Sequence, residues 1–399
     1  MSVPYEFSLS HPRQAWHRQL AAAGALSDDA PAMRDRIQAF LLHALIPMAA
    51  LVTILVLSPG CSSLSYYQQA VSGHLSLMRQ RQDIDDLLAS PQTDPALVEQ
   101  LQLAQEIVRF AEAQMLLDAN GSYSQLVITG QAAVSWNVIA AEEFSVEPRN
   151  WCFPVAGCVP YRGYFKEQQA SNFAAQQQAE GYDIYVSPAT AYSTLGWFDD
   201  PLLDTMFQYS TSQLAGILIH ELAHQKLYVS GDTNFNESFA EFVESIGVKR
   251  WLQQTERQQE LQNWAMRRLA EPQFAALLAD TRESLRLLYA SGKPIEVLRE
   301  RKQAIIKESQ SEYNNLVSNQ WRGQDYFYGW LAGDVNNAKL ALAQSYGGGA
   351  CAFATLYQQA NENLEKFYEL AVQKSELSAA QREAWLNTLC NSFASVDDL

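Results

Sequence analysis

Residues 214–224 read LAGILIHELAH, and residues 231–251 read GDTNFNESFAEFVESIGVKRW. The first stretch contains His220-Glu221-Leu222-Ala223-His224, an HExxH pattern on a helix whose preceding turns are wholly apolar. Residues i and i+4 of a helix lie one above the other, ~6 Å between Cβ atoms. Both imidazoles can therefore bind one Zn²⁺ at ~2.0–2.1 Å. Glu221 is one step round the helix from His220. There it can reach a water on the ion without ligating the ion, take that water's proton as general base and pass it to a leaving amine.

A catalytic zinc site takes three protein ligands and keeps a fourth position open. Histidines are scarce, six in 399 residues, and beyond Cys61 only His74, His220 and His224 remain. His74 belongs to a different helical segment. A third histidine of the HExxHxxGxxH type is excluded, because Leu227 stands at the glycine place and Ser230 at the histidine place. The third ligand is then a carboxylate or water. Gly231-Asp232 turns the chain after the first helix, and Asn234 or Asn236 can cap the next. Glu237 opens that second helix, and a hairpin of this length returns it to the two histidines. Glu241 and Glu244 follow at i+4 and i+7 on the same face. Phe235, Phe239, Phe242, Val243 and Ile246 interleave with them, so this helix is packed rather than solvated. Glu237 is the expected third ligand, and Glu241 the expected acceptor for a histidine N–H, which fixes the tautomer and raises ligand basicity. The ligand role could instead pass to Glu241, with Glu237 capping.

Outward from this hairpin, residues 64–90 and 95–117 carry helical spacing of Leu, Ala and Ile, separated by a turn from Ser90-Pro91 to Pro95. Strand character begins at 121, in SYSQLVIT, AVSWNVIA, DIYVS and AYSTLGWF, all β-branched or aromatic and bounded by turn residues. Beyond Thr211 the chain is helical again, with breaks expected at Glu271-Pro272 and Gly292-Lys293-Pro294. The pattern predicts a mostly helical α+β fold with a small mixed sheet: 61–120 helical, 121–200 sheet, 211–250 the zinc-site helices and 251–399 helical.

Composition narrows the function. With 28 Lys and Arg against 44 Asp and Glu, the net charge is −16. So acidic a surface argues against nucleic acid as a partner, because phosphate contacts need Lys and Arg. No phosphate-binding glycine loop is present, and Gly347-Gly348-Gly349 lacks the Lys-Ser/Thr of a Walker loop, so no nucleotide is expected.

Residues 40–57, FLLHALIPMAALVTILVL, form the long apolar run of the chain and lead to Ser58-Pro59-Gly60-Cys61. Arg34 and Arg36 before it, the apolar core, and a small residue before a cysteine make a bacterial secretion signal with a lipobox-like end. Cys61 is the expected lipidation site, and residues 1–60 an N-terminal extension plus signal. A start at Met33 would give that signal an ordinary charged head. The alternative, a single membrane-spanning helix, is marginal at this length. Either way residues 61–399 are expected as one domain in the cell envelope, facing the periplasm and held to the lipid bilayer. Ser62 after the cysteine suggests sorting to the outer membrane. Four cysteines then remain: Pro154 and Gly157 turn the chain between Cys152 and Cys158, favouring a local bridge, which leaves Cys351 with Cys390.

HELAHQ followed by NESFAE resembles the zincin metallopeptidases of the HExxH…E class, whose aminopeptidase members carry a similar NE-small-FA signature. GCSSLSYYQQAVSGHL, AYSTLGWFDDPLL, HELAHQKLYVSGDTNFNESFAEFVE and the later NNAKL together resemble a family of predicted zinc aminopeptidases found as proteobacterial lipoproteins. The likeness spans nearly the whole chain after Cys61. It implies a zincin-like fold, Zn²⁺ as cofactor, a peptide substrate and aminopeptidase action; the residues alone equally admit an endopeptidase with the same site, or a scaffold lipoprotein that uses the metal structurally. The short gap between His224 and Glu237 departs from the better-known aminopeptidases, which carry a longer insert. Holding a free amine requires an acidic group, and Glu142 or Glu143 is offered for it. AYSTLGWFDDP reads as an edge strand beside the HExxH helix. In zincins a strand in that place pairs with extended substrate, so Ser193, Thr194, Leu195 and Gly196 are expected to bind the peptide backbone. A tyrosine is expected to stabilise the oxyanion, with Tyr346 first and Tyr313 and Tyr192 behind it.

Overall fold

A computed structural model of the protein describes residues 61–153, 157–191, 199–342 and 349–387, with residues 61–64 and 157 described by backbone alone. The chain divides into two compact units, Met1–Tyr67 and Gln68–Leu399. In the first, the described residues are helical, and the rings of Tyr66 and Tyr67 meet edge-on at 5.8 Å.

Helix α1 (Cys61–Arg79) is followed by the two-residue strand β1 (Gln82–Asp83), then α2 (Ile84–Ala89) and α3 (Pro95–Met115). The helix expected across 64–90 is therefore interrupted. Gln82 and Asp83 pair with Leu126 and Gln125 of β2 (Gln125–Val127), and the Asp83 carboxylate then caps α2 by accepting from the Asp85 and Asp86 N–H groups. A capping aspartate at the end of the strand starts a new helix there. Helix α3 begins as its sequence signals, with Asp94 as cap and Pro95 in the first turn, where the missing N–H costs nothing.

Strand β3 (Ser135–Glu142) is the centre of an antiparallel sheet. It lies between β7 (Tyr182–Ala189) and β6 (Arg162–Tyr164), which follows the short hairpin of β4 (Trp151–Phe153) and β5 (Gly157–Val159). Its residues from Val138 to Ala141 are fully buried. Helix α4 (Glu167–Ala179) lies between β6 and β7, inside the stretch expected to be all sheet. Its Gln-rich sequence has no capping side chain and a weak apolar stripe, so no start signal marks it. Strand β8 (Leu202–Leu203) runs parallel to β2 and completes a mixed three-stranded sheet in the order β1-β2-β8. Residues 192–198, where the substrate-facing edge strand is expected, lie outside the described residues.

A 3-10 turn (Asp204–Gln208) leads into α5 (Thr211–Lys226), and α6 (Thr233–Gln254) packs back against it. Helix α7 (Gln258–Tyr289) runs unbroken through Pro272, against the break expected there. Proline's fixed φ suits a helix, but inside one it removes a backbone hydrogen bond and crowds the carbonyl four residues back, at about 3 kcal/mol; buried Ala270 and Phe274 hold the turn on either side. The break at Gly292-Lys293-Pro294 is present, and α8 (Ile295–Asn315) starts after Pro294. A π turn (Leu316–Gln320), α9 (Asn337–Ala341), α10 (Ala350–Gln359), α11 (Leu364–Ser375) and α12 (Ala379–Leu386) complete a mostly helical α+β fold with small sheets.

The larger core gathers α3, α5, α6, α10 and α11. Phe239 of α6 lies at its middle, fully buried, with Phe353 at 5.5 Å and Phe367 stacked at 6.1 Å between ring centroids. A second core joins α7 and α8 to residues 321–335 through stacked Phe274 and Phe327. Among the described residues no helix is long and apolar enough to cross a membrane, and the apolar run 40–57 lies outside them.

Candidate metal centre

The site is built where α5 meets α6. Ser210 and Gln213 form a capping box at the start of α5, and the helix ends at Lys226, just past His224. Gly231, at φ +79°, turns the chain, and the Asp232 carboxylate caps α6 by accepting from the Phe235 N–H at 3.1 Å. This cap is Asp232, where Asn234 or Asn236 was expected. Asn236 instead ties the loop to α6, accepting from the Val229 N–H at 2.8 Å and donating to the Val229 carbonyl at 2.9 Å. The clamp sets the register of the hairpin and hence the height of Glu237 against the two histidines.

His220, His224 and Glu237 each offer a ligand atom, and these atoms lie within 4.8 Å of one another. The two Nε2 atoms are 3.2 Å apart. Glu237 bridges them, with Oε2 3.3 Å from His220 Nε2 and Oε1 3.7 Å from His224 Nε2. A tetrahedral ion with bonds of about 2.0–2.1 Å spaces its ligand atoms about 3.3–3.4 Å apart. Two nitrogens and a carboxylate at these separations fit a zinc ion, a metal suited to such mixed N/O donors.

The other ring nitrogen of His220 meets a carboxylate as well, 3.1 Å from Nδ1 to Glu244 Oε2. Glu241, the acceptor expected from its one-turn offset, faces Arg268 instead, at 3.9 Å, while Arg268 also binds Glu271 at 2.7 Å. The cause is local packing. A Cβ on Gly216, one turn before His220, would stand 2.9 Å from Glu244 Oε1, so the bare backbone of Gly216 leaves room for that carboxylate. Gly247 similarly admits Ile219, whose methyl carbon would be 3.0 Å from an added Cβ. The two glycines mark the close approach of α5 and α6.

Electrostatics separate the two histidines. Burial disfavours the charged form of His220, but its hydrogen bonds to Glu237 and Glu244, with the charges of Glu244 and Glu221, raise its pKa well above the ordinary value. His224 is pulled down to about 4 by burial and by the charge of His220, so it is neutral at pH 7, the form a ligand needs. Its Nδ1 is buried with no hydrogen-bond partner. Burial pushes the Glu244 carboxyl up, yet the His220 bond and the charges of His220, Arg268 and Arg267 hold it below the usual carboxylate range. Glu241 is raised, mainly by burial.

A family model described as "Putative aminopeptidase" matches residues 65–386. The chain belongs to that family. The match takes in the α5–α6 hairpin, all three groups of the candidate centre, and the helices that pack behind them. No curated protein and no solved structure matches the chain.

The remaining expected site residues fall into two groups. Ser193, Thr194, Leu195, Gly196, Tyr192 and Tyr346 lie outside the described residues, as does Cys390. Others are described but engaged elsewhere. Tyr313 is buried and gives its hydroxyl to Asp325. Glu143 is gripped by Arg299 at 2.6 and 2.9 Å, so its charge is already paired, and it makes a poor seat for a substrate amine. Cys152 and Cys158 are joined across the β4–β5 hairpin, and Cys351 also takes part in a disulfide.

Three tyrosines near the site escaped the sequence reading. Tyr228 brings its ring to 6.5 Å from His224. Tyr161 follows the disulfide hairpin, and its pKa is raised by burial and then by the charges of Glu237, Tyr228 and Glu221. Tyr123 is buried with an unpartnered hydroxyl and φ +62°, and burial, Glu221 and Asp200 raise its pKa. For Tyr228 the signal was its position one turn beyond His224. For the other two, spacing carries no signal, since each comes from a distant segment.

Proposed function

We propose that the protein is a zinc-dependent aminopeptidase of zincin-like type, with His220, His224 and Glu237 holding the ion. The observation that carries this reading is the spacing of 3.2, 3.3 and 3.7 Å among the three ligand groups, close to the edges of a zinc tetrahedron. When bound, zinc lowers the pKa of a coordinated water and polarises a peptide carbonyl. Glu221, next to His220 on α5 and half-buried, takes the proton of the attacking water and delivers it to the leaving nitrogen. Tyr228, whose ring lies 6.5 Å from that of His224, is the candidate donor of a hydrogen bond to the developing oxyanion, with Tyr161 behind it. The family supplies the preference for a free amino terminus. Among the described residues three ligating groups meet, which supports an open coordination position and favours an enzyme over a scaffold with a closed structural metal.

The same reading places the protein in the bacterial envelope, anchored through Cys61 and facing the periplasm. The Cys152–Cys158 bridge supports an oxidising compartment. The test is direct. Purified protein is assayed for zinc per chain and for cleavage of free-amine against blocked peptides, beside Glu221→Gln. Zinc retained with cleavage lost in the variant is the expected result, and free-amine peptides are cut in preference. Equal turnover by both proteins refutes the role of Glu221, and absence of bound zinc from the unaltered protein refutes the metal reading.

A further inference from the structure

The glycine at 216 and the carboxylate at 244 form a device that the ligand set alone does not require. Gly216 sits in an otherwise apolar helical run, where glycine costs about 1 kcal/mol relative to alanine, and its φ is not in the left-handed region. No turn or cap explains it. Its nearest neighbour is the tip of Glu244, at 2.9 Å from where a Cβ would be, and the other oxygen of that carboxylate reaches His220 Nδ1 at 3.1 Å. Behind them Arg268 is bound to Glu271 at 2.7 Å and stands 3.9 Å from Glu241, which keeps a cation on the acidic flank of α6.

We propose that Gly216 is a slot for the Glu244 carboxylate, and that Glu244, so seated, is the positioning residue that aims His220 Nε2 at the ion. The proposal rests on the zinc reading above and adds to it a residue pair outside the ligand set. Partners of ligating imidazoles change metal affinity by about 10- to 100-fold when removed. The Glu244 tip is the movable end of a flexible side chain. A methyl at 216 therefore displaces the carboxylate and leaves the helix intact.

The experiment is a double-mutant cycle on the full chain. Zinc dissociation constants are measured by competition with a chromophoric chelator for the unaltered protein, Gly216→Ala, Glu244→Ala and the double variant, with the melting temperature of each metal-free protein alongside. Gly216→Ala and Glu244→Ala each weaken zinc binding about 10- to 100-fold. The alanine at 216 costs nothing further once Glu244 is gone, and the metal-free melting temperature of Gly216→Ala does not fall, since alanine is the better helix former. Glu244→Gln, which keeps an acceptor oxygen, retains more affinity than Glu244→Ala. An equal cost of Gly216→Ala in both backgrounds overturns the slot. Unchanged affinity in Glu244→Ala overturns the positioning role while the zinc reading stands. No zinc binding by the unaltered protein overturns both.

Discussion

Lys302 of α8 is 5% exposed, and its ammonium is held by Asp183 of β7 at 2.6 Å and by the Glu143 carbonyl at 2.9 Å. Removing one partner of a buried ion pair costs about 3–5 kcal/mol, because it leaves an uncompensated charge. Here the lower end applies. After Lys302→Met, the Asp183 carboxylate still accepts from the Asn337 N–H at 3.1 Å and its side chain is 20% exposed, while the Glu143 carbonyl still accepts from Asn337 Nδ2 at 2.8 Å. Lys302→Met and Asp183→Asn should therefore each cost about 3 kcal/mol. The double variant removes both charges together, so its cost should fall about 2 kcal/mol short of the sum. Urea unfolding at constant m-value reads these differences as shifts in midpoint. Single costs below about 1 kcal/mol, or additivity within about 0.5 kcal/mol, would refute the claim that this pair ties α8 to the sheet.

Two further outcomes follow from the same structure. Stripping the ion with a chelator should lower the melting temperature and abolish peptide cleavage, with zinc restoring both; a ligand held at a hundred times its dissociation constant stabilises the folded state by about 2.7 kcal/mol, so an unmoved melting curve would contradict a zinc centre. Replacing Cys152 and Cys158 by serine opens a bridge of sequence separation 6, whose loop entropy is worth about 2 kcal/mol, and a loss above about 4 kcal/mol in urea unfolding would mean that the hairpin does more than close a short loop.

Much of the fold was legible because its helices are long and periodic. Asp94-Pro95 marked the start of α3, and the Gly292-Lys293-Pro294 break is where α7 gives way to α8. What escaped was decided by partners far away in sequence. The break after Arg79 exists because Gln82 and Asp83 pair with residues 125 and 126. Helix α4 is a Gln-rich segment with little stripe of its own, laid against strands β3 and β7. Pro272 did not end α7; its neighbours Ala270 and Phe274 are buried, and their packing offsets the lost hydrogen bond and the crowded carbonyl that an internal proline brings.

At the site, helical pitch places His220 and His224 together and loop length returns Glu237 to them, so those positions could be argued from spacing. The carboxylate that meets His220 could not. Glu241 and Glu244 share one face of α6 at i+4 and i+7 from Glu237, and spacing from Glu237 favours the nearer. The structure selects the farther one because the opposing helix α5 offers a gap at Gly216, while Arg268 of α7 stands beside Glu241. One of these was visible as a residue out of place, since a glycine in the middle of an apolar helix lowers stability by about 1 kcal/mol unless something uses the space. A glycine one turn before an HExxH histidine thus points across the helix interface, toward whichever side chain fills the gap. Here that side chain is the carboxylate of Glu244, which also reaches the histidine itself.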